Sequence, residues 1–264
     1  IPMVATFVLS FTKYDMLSTP KFVGLQNYID MVKDPIIWEV TKNTIVYTIL
    51  TVPVGMCISL LLAVMLDQKI AFRKFYRAAF FLPSITSMVV VAIVWQWIYN
   101  PDYGLLNYFL SLFGIKGPKW LLDANTSLIS LAIVGIWKKA GYNMIIFLSG
   151  LQGISYSYYE ASMLDGANKW QQFRYITLPM LKPTTFFVFV MTVIGSFQVF
   201  DQIMLMTKGG PGRSSSVLVH YLYQNAFQYF KLGYACAIAY LLFFIVMGIT
   251  VFNMRMEKSM REIY

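Results

Sequence analysis

The chain has 264 residues, of which 58% are hydrophobic and only 12% charged, and its mean hydropathy is +0.61. Soluble domains carry about twice that share of charge, and the apolar residues here run in blocks too long for ordinary core helices. The composition therefore excludes a soluble globular enzyme and indicates an integral membrane protein. The net charge of +9 does not mark a nucleic-acid surface, because the bases stand between apolar blocks, where membrane proteins meet anionic headgroups.

The opening segment, Ile1 to Phe11, is apolar but lacks a starting methionine, a basic flank and a small-residue cleavage site. It is expected to be the outer end of a truncated first span. A polar stretch follows, Thr12 to Lys42, with Asp15, Lys21, Asp30, Lys33, Asp34 and Glu39. Asn43 to Leu66 is free of charge and long enough to cross the hydrocarbon, and Pro53 and Gly55 within it are tolerated in membrane helices. The loop "DQKIAFRKFYR" brings Lys69, Arg73, Lys74 and Arg77 together. A third span is expected from Ala78 to Tyr99, with Pro83 near its entry and Trp95, Trp97 and Tyr99 as an interfacial belt at its exit.

Asn100 to Thr126 is polar overall, yet "NPDYGLLNYFLSLFG" carries enough apolar residues for a short helix lying against the membrane. The fourth span, Ser127 to Gly150, contains Lys138 and Lys139, both costly in lipid. After the connection 151–183, a fifth span is expected from Thr184 to Thr207, with Asp201 inside it. The turn-rich "KGGPGRSSS" and a polar, aromatic segment lead to a sixth span, Leu232 to Phe252, and a basic tail. Cys57 and Cys236 lie inside apolar runs and read as packing residues. Six crossings leave both termini on one side, and the compact basic loop 67–77 assigns that side, with the tail and 151–183, to the cytoplasm.

The connection 151–183 is amphipathic. Met163, Ala167 and Trp170 recur at helical spacing, and Phe173, Ile176 and Leu178 supply a second apolar face. Gly166 permits a close approach or a bend, while Pro179 and Pro183 limit a regular helix before the next span. A short helix, a bend and another short helix are expected. From the residues alone this segment is either a helix resting in the headgroups or a contact offering Glu160, Asp165, Lys169 and Arg174 to a partner.

The series Glu160-Ala161-Ser162, Asp165-Gly166-Ala167, Trp170, Phe173 and Ile176-Thr177-Leu178-Pro179 closely resembles the EAA loop of permease subunits in bacterial binding-protein-dependent ABC importers. Ser162 stands where the usual motif has a second alanine. "FVGLQNY", "FFLPSI", "NPDYGLLN", "YNMIIFLSGLQGI", "GSFQVFDQI", "TKGGPG" and "AFQYFKLGYACA" are similar to the carbohydrate-uptake branch, so the resemblance covers nearly the whole chain.

The resemblance implies an all-α integral membrane protein with the six-span ABC importer permease fold, forming one transmembrane domain over 1–264. Within it, 151–183 would be the cytoplasmic loop carrying the coupling helix. It implies a multi-pass protein of the bacterial inner membrane with cytoplasmic termini. Its partners would be a second related permease, two ATPase subunits, an extracytoplasmic solute-binding protein, membrane lipid and a carbohydrate substrate. Glu160, Ala161, Asp165, Gly166, Trp170, Leu178 and Pro179 would form the ATPase contact. ATP and magnesium would be bound by the ATPase subunits and no cofactor by this chain, in keeping with its lack of a G-x-x-x-x-G-K-[ST] loop. Gly209, Gly210 and Gly212 would shape the surface near the docked binding protein, and the single His220 reads as a surface or interface residue rather than a general base.

Solute recognition needs hydrogen-bonding groups and stacking faces along a water-filled path. Asn143, Tyr142, Gln198, Asp201, Lys138 and Trp95 are the candidates, with Gln96, Trp137 and Phe197 beside them. The same polar groups serve equally well to tie helices together. Lys138 and Lys139 diverge by about 100° on a helix, so one would face the path while the other pairs elsewhere, with Asp201 a possible partner. The alternative to an ATP-driven importer is a secondary transporter or channel subunit driven by an ion gradient, which needs an intramembrane relay of charges.

Overall fold

A computed structural model describes residues 2–68 and 70–261. Ile1, Lys69 of the basic loop and 262–264 of the basic tail lie outside the described residues, as do the side chains of 254 and 256–261. The chain is mostly helical. In order it forms α1 (Pro2–Ser10), β1 (Thr12–Lys13), β2 (Lys21–Phe22), α2 (Gln26–Lys33), α3 (Pro35–Asp67), α4 (Arg73–Ile85), α5 (Met88–Ile98) and α6 (Leu105–Leu112). A 3₁₀ turn (Trp120–Leu122) precedes α7 (Ser127–Gln152), α8 (Tyr156–Leu164) and α9 (Lys169–Gln172). A π turn (Phe173–Thr177) leads to α10 (Leu178–Met180), α11 (Lys182–Phe197), α12 (Asp201–Met206) and α13 (Leu218–Tyr223). A second π turn (Gln224–Gln228) precedes α14 (Leu232–Arg261).

Among the described residues, three helices are individually long and apolar enough to cross a membrane: Pro35–Asp67, Ser127–Gln152 and Leu232–Asn253. Two helix pairs are long and apolar enough only together, each bent at a short break: Arg73–Ile85 with Met88–Ile98 by 99°, which interrupts the expected third span, and Lys169–Met180 with Lys182–Phe197 by 64°. The expected fifth span is thus corrected at both ends. It begins at Lys182 and stops at Phe197, and Asp201 starts a separate six-residue helix. At 33 residues, α3 extends beyond the hydrocarbon, which needs only about 20. Pro53 inside it removes a backbone donor, and the hydroxyls of the run are satisfied by bonding back to the preceding turn: Thr44 to Val40 (2.7 Å), Thr48 to Thr44 (2.8 Å) and Ser59 to Gly55 (2.6 Å).

The helices form two compact units. The first comprises Ile1–Ile49, Met88–Ala132 and Ile194–Tyr264. Its core gathers Met31, Ile37, Val40, Leu218, Tyr221 and Ile238. The β1–β2 hairpin pairs Thr12 with Phe22 and is stapled to α2 by Asn27, whose amide donates to the carbonyls of Ser10 (2.8 Å) and Thr12 (2.9 Å). A cavity of about 790 Å³ lies between the hairpin, α2 and the start of α14. On its wall Asp34 accepts hydrogen bonds from the hydroxyls of Tyr221 (2.7 Å) and Tyr234 (2.8 Å). Burial works against ionisation of Asp34, but these hydroxyls, the Ile36 amide and the charge of Arg213 outweigh it and hold the carboxyl below its usual range.

The same unit corrects two expectations and contains the short helix of a third. Tyr99 is not an interfacial residue, because it is buried and its hydroxyl donates to Ser130 O (2.9 Å), whereas Trp97 is exposed. His220 is not at the surface. It is buried beside Ser216 (Nδ1–Oγ 2.9 Å), burial pushes its ring below the ordinary histidine range, and Gly209 packs against it. The short helix expected in 100–126 is present as α6, with no buried residue, and Asn107 ties it to the carbonyls of Pro101 and Pro118.

The second unit comprises Leu50–Ser87 and Ile133–Val193. Its core is built from Ala63, Leu66, Met144, Phe147, Leu148, Leu151, Leu181 and Val188. Cys57 of this unit is exposed rather than packed, while Cys236 of the first unit is buried. Gly141 of α7 lies directly against the carbonyl of Phe80, and Ser84 Oγ donates to Lys138 O (2.9 Å), so α4 and α7 meet at backbone distance.

Candidate functional site

The connection after α7 is built from helix start and stop signals. Ser155 caps α8, its side chain accepting from the Ser157 amide. At the far end Asp165 is the C-cap and Gly166 follows with φ +79°. The Gly166 amide donates to Met163 O (3.1 Å) and the Ala167 amide to Ser162 O (2.9 Å), the paired bonds of a Schellman cap. A left-handed residue is required there, and glycine adopts it without a Cβ penalty.

Gly166 makes the bend, and within this chain nothing lies within 4 Å of where its Cβ would be. The expected face of Met163, Ala167 and Trp170 is corrected, because the helix ends at Leu164 and the latter two lie beyond the turn. Asn168 then starts α9 with a capping box: its side chain accepts from the Gln171 amide (2.9 Å) while its own amide donates to Gln171 Oε1 (2.7 Å). Sequence reasoning missed this box, although Asn168-x-x-Gln171 was there to read.

From Lys169 the chain runs as one bulged rod to Met180, with the π turn between α9 and α10, and bends by 64° into α11. Pro179 directly follows the π turn, at the second position of α10, and its missing N–H leaves a carbonyl of the preceding turn without an intrahelical donor. Leu181, at the bend, is fully buried in the second unit's core. Side chains fasten α8 to the rod: Tyr159 Oη to Thr177 Oγ1 (2.9 Å) and Gln172 Nε2 to Ser162 Oγ (2.9 Å). The opposite surface is bare. Leu164 is 91% exposed and Trp170 70%, with Met163 and Tyr175 also open and Glu160, Ala161, Asp165, Lys169 and Arg174 exposed among them. Leu178 and Pro179 are half-buried. An apolar crest ringed by charges of both signs can seat in a groove of another protein.

The candidates for a solute path fall into two sets. In the second unit, Asn143 is buried and its amide donates to Thr192 Oγ1 (3.2 Å), while Tyr142 is exposed. Lys138 Nζ donates to the carbonyls of Pro83 (3.2 Å) and Thr86 (2.5 Å), at the C-terminal end of α4. A cation there satisfies carbonyls that the end of the helix leaves without intrahelical partners. Lys139, one residue on, is exposed.

In the first unit, Trp95 packs on Tyr99 (ring centroids 5.2 Å), and the neighbouring Gln96 donates to the carbonyls of Leu205 (3.2 Å) and Met206 (3.1 Å). Gln198 and Asp201 are exposed at the break between α11 and α12. Sequence reasoning passed over their neighbour Gln202, which is buried between Tyr47 and the Leu131 carbonyl. No group of three or more His, Cys, Asp or Glu positioned to hold a metal occurs among the described residues.

Residues 55–256 match the family model of the binding-protein-dependent transport system inner membrane component. The probable ABC transporter permease protein YurN of Bacillus subtilis is 36% identical, with 99% of this chain and 91% of that protein covered. The arabinooligosaccharides transport system permease protein AraP of the same organism is 32% identical over 98% of this chain and 83% of that protein. The fold is that of a chain in the crystal structure of a bacterial alginate ABC transporter in complex with alginate pentasaccharide-bound periplasmic protein. That match has a TM-score of 0.87 at 24% identity and covers 98% of this chain and 88% of that one. With an apolar helical body and a capped, crest-bearing connection after α7, the chain belongs to the inner-membrane components of binding-protein-dependent transport systems, the permease subunits of ABC transporters.

Proposed function

We propose that this chain is the permease subunit of a carbohydrate importer and that α8, with the start of the rod, is its contact with a cytoplasmic ATPase. The observation that carries the coupling role is the exposure of Met163, Leu164, Trp170 and Tyr175 beside Glu160 on a segment whose other side is bonded and whose end, Leu181, is buried. Exposed apolar side chains gathered in one patch and rimmed by charges mark a contact surface. Glu160, Ala161, Asp165, Gly166 and Trp170 form the contact, Leu178 and Pro179 set the exit into α11, and ATP and magnesium are handled by two partner ATPase subunits. A second permease completes the path and an extracytoplasmic binding protein delivers solute. On this reading the basic loop 67–77 and the connection 151–183 face the cytoplasm.

The carbohydrate reading is supported by relatives such as AraP, whose name refers to arabinooligosaccharides. Tyr142, Gln198 and Asp201 are exposed groups able to stack against or hydrogen-bond a hydroxyl-rich solute, and the half-buried Trp95 is a further stacking face. Asn143 and Lys138 support the path from behind, because their described bonds go to other helices. The test is the ATPase activity of the purified complex, with its binding protein, against a panel of neutral and acidic oligosaccharides. Stimulation by at least one carbohydrate is expected. Stimulation only by amino acids or metal ions would overturn the substrate class, and solute flux driven by an ion gradient without ATP would overturn the mechanism.

A further inference from the structure

The chain linking α8 to the rod is short and turns at Gly166, whose position is open on every side. By backbone alone, only the two amide bonds of the Schellman cap keep α8 from swivelling there. Two side-chain bridges add to them, spanning 18 and 10 residues of sequence: Tyr159 Oη–Thr177 Oγ1 and Gln172 Nε2–Ser162 Oγ, each 2.9 Å. Both are partly buried, and each ends on the rod at or beside the π turn Phe173–Thr177. Gln172 also reaches Tyr159 O (3.4 Å), and Thr177 Oγ1 donates to Gln172 O (3.4 Å), so the four side chains form one network. Four residues beyond Thr177, the fully buried Leu181 fixes the rod in the core at the start of α11.

We propose that Tyr159, Ser162, Gln172 and Thr177 are a latch that makes α8 and α11 move as one body, and so are positioning residues for energy coupling. The proposal rests on the reading of α8 as the ATPase contact. Without the latch, a push on α8 is absorbed by rotation at Gly166; with it, the push passes through the rod and Leu181 to the span.

The experiment uses the assembled importer in lipid vesicles, with Cys57 and Cys236 replaced by alanine. An environment-sensitive fluorophore is attached either on α8 (Tyr158→Cys) or on α11 (Phe187→Cys), both exposed sites. Emission is read before and after trapping with ATP, magnesium and vanadate. With the latch intact, both probes respond. In the Ser162→Ala/Thr177→Val double variant the α8 response is retained and the α11 response falls at least about twofold, whereas Thr177→Ser keeps both. An undiminished α11 response beside a normal α8 response would overturn the latch. Failure of the hydroxyl-deleted complexes to assemble, with Thr177→Ser assembling normally, would also overturn it, since the bridges would then serve folding. A silent α8 probe in the intact complex would instead overturn the coupling reading itself.

Discussion

The carbonyl of Phe80 fills the space in which a side chain on Gly141 would begin, so α4 and α7 touch backbone to backbone. Backbone cannot rotate aside as a side chain can. Gly141→Ala is expected to destabilise the subunit by about 1–3 kcal/mol, the usual range for overpacking. Gly150→Ala meets the side chains of Thr184 and Leu181, which have some freedom to move, and is expected to cost less. Thermal unfolding of the detergent-solubilised complex distinguishes the two; equal midpoints would show that α4 and α7 separate easily.

Lys138 serves the end of α4 rather than a neighbouring acid. Replacing it with methionine leaves the Pro83 and Thr86 carbonyls without this donor, and a loss of about 1–3 kcal/mol is expected. Lys139→Met, at an exposed position, is expected to do much less. The preference for neutral over acidic sugars, measured by competition in uptake assays, should not change in Lys138→Met. A switch in that preference would place the ammonium group in the solute path.

At Gly166 the constraint is conformational rather than steric. With φ at +79° and open space around it, alanine is expected to cost about 1–2 kcal/mol of local stability and asparagine less. Hydrogen exchange at the Gly166 and Ala167 amides reports this directly: faster in Gly166→Ala, near normal in Gly166→Asn. Equal protection in all three proteins would mean that the cap does not hold α8.

The hairpin end of the first unit is expected to lose stability in acid. Because the folded-state pKa of Asp34 lies below its unfolded value, its contribution is complete above the unfolded carboxylate range and is lost as pH falls through the lower folded value. Tyr221 is pushed up to about 12, by burial first and then by Asp34, so its contribution is complete below the ordinary tyrosine range and is lost as pH rises through that value. Asp34→Asn should flatten the acid limb of a stability–pH curve. An unchanged limb would show that other carboxylates govern it.

What the sequence revealed follows from the range over which each signal acts. Long apolar runs announced α3, α7 and α14, because spanning a membrane is a matter of length and hydropathy. Gly166 announced the turn after α8, because a left-handed cap is a local demand. The two-residue strands Thr12–Lys13 and Lys21–Phe22 went unseen, since their pairing is fixed by Asn27 from outside the hairpin. The break after Phe197 falls where Gly195, Ser196, Gln198, Asp201 and Gln202 interrupt the apolar run, but polar residues are also tolerated inside spans, so neither the break nor the division of labour between exposed Asp201 and buried Gln202 could be read there. His220 looked like a surface residue because nothing local showed that Ser216 and Gly209 would enclose it.

The central claim is that energy enters this subunit through α8. Glu160→Cys, coupled to a short photoactivatable cross-linker in intact cells, tests it most directly. The account predicts a covalent adduct between this chain and the ATPase subunit, with no labelling of the introduced thiol by a membrane-impermeant reagent added from outside. An adduct with the extracytoplasmic binding protein, or ready labelling from the outside, would contradict it.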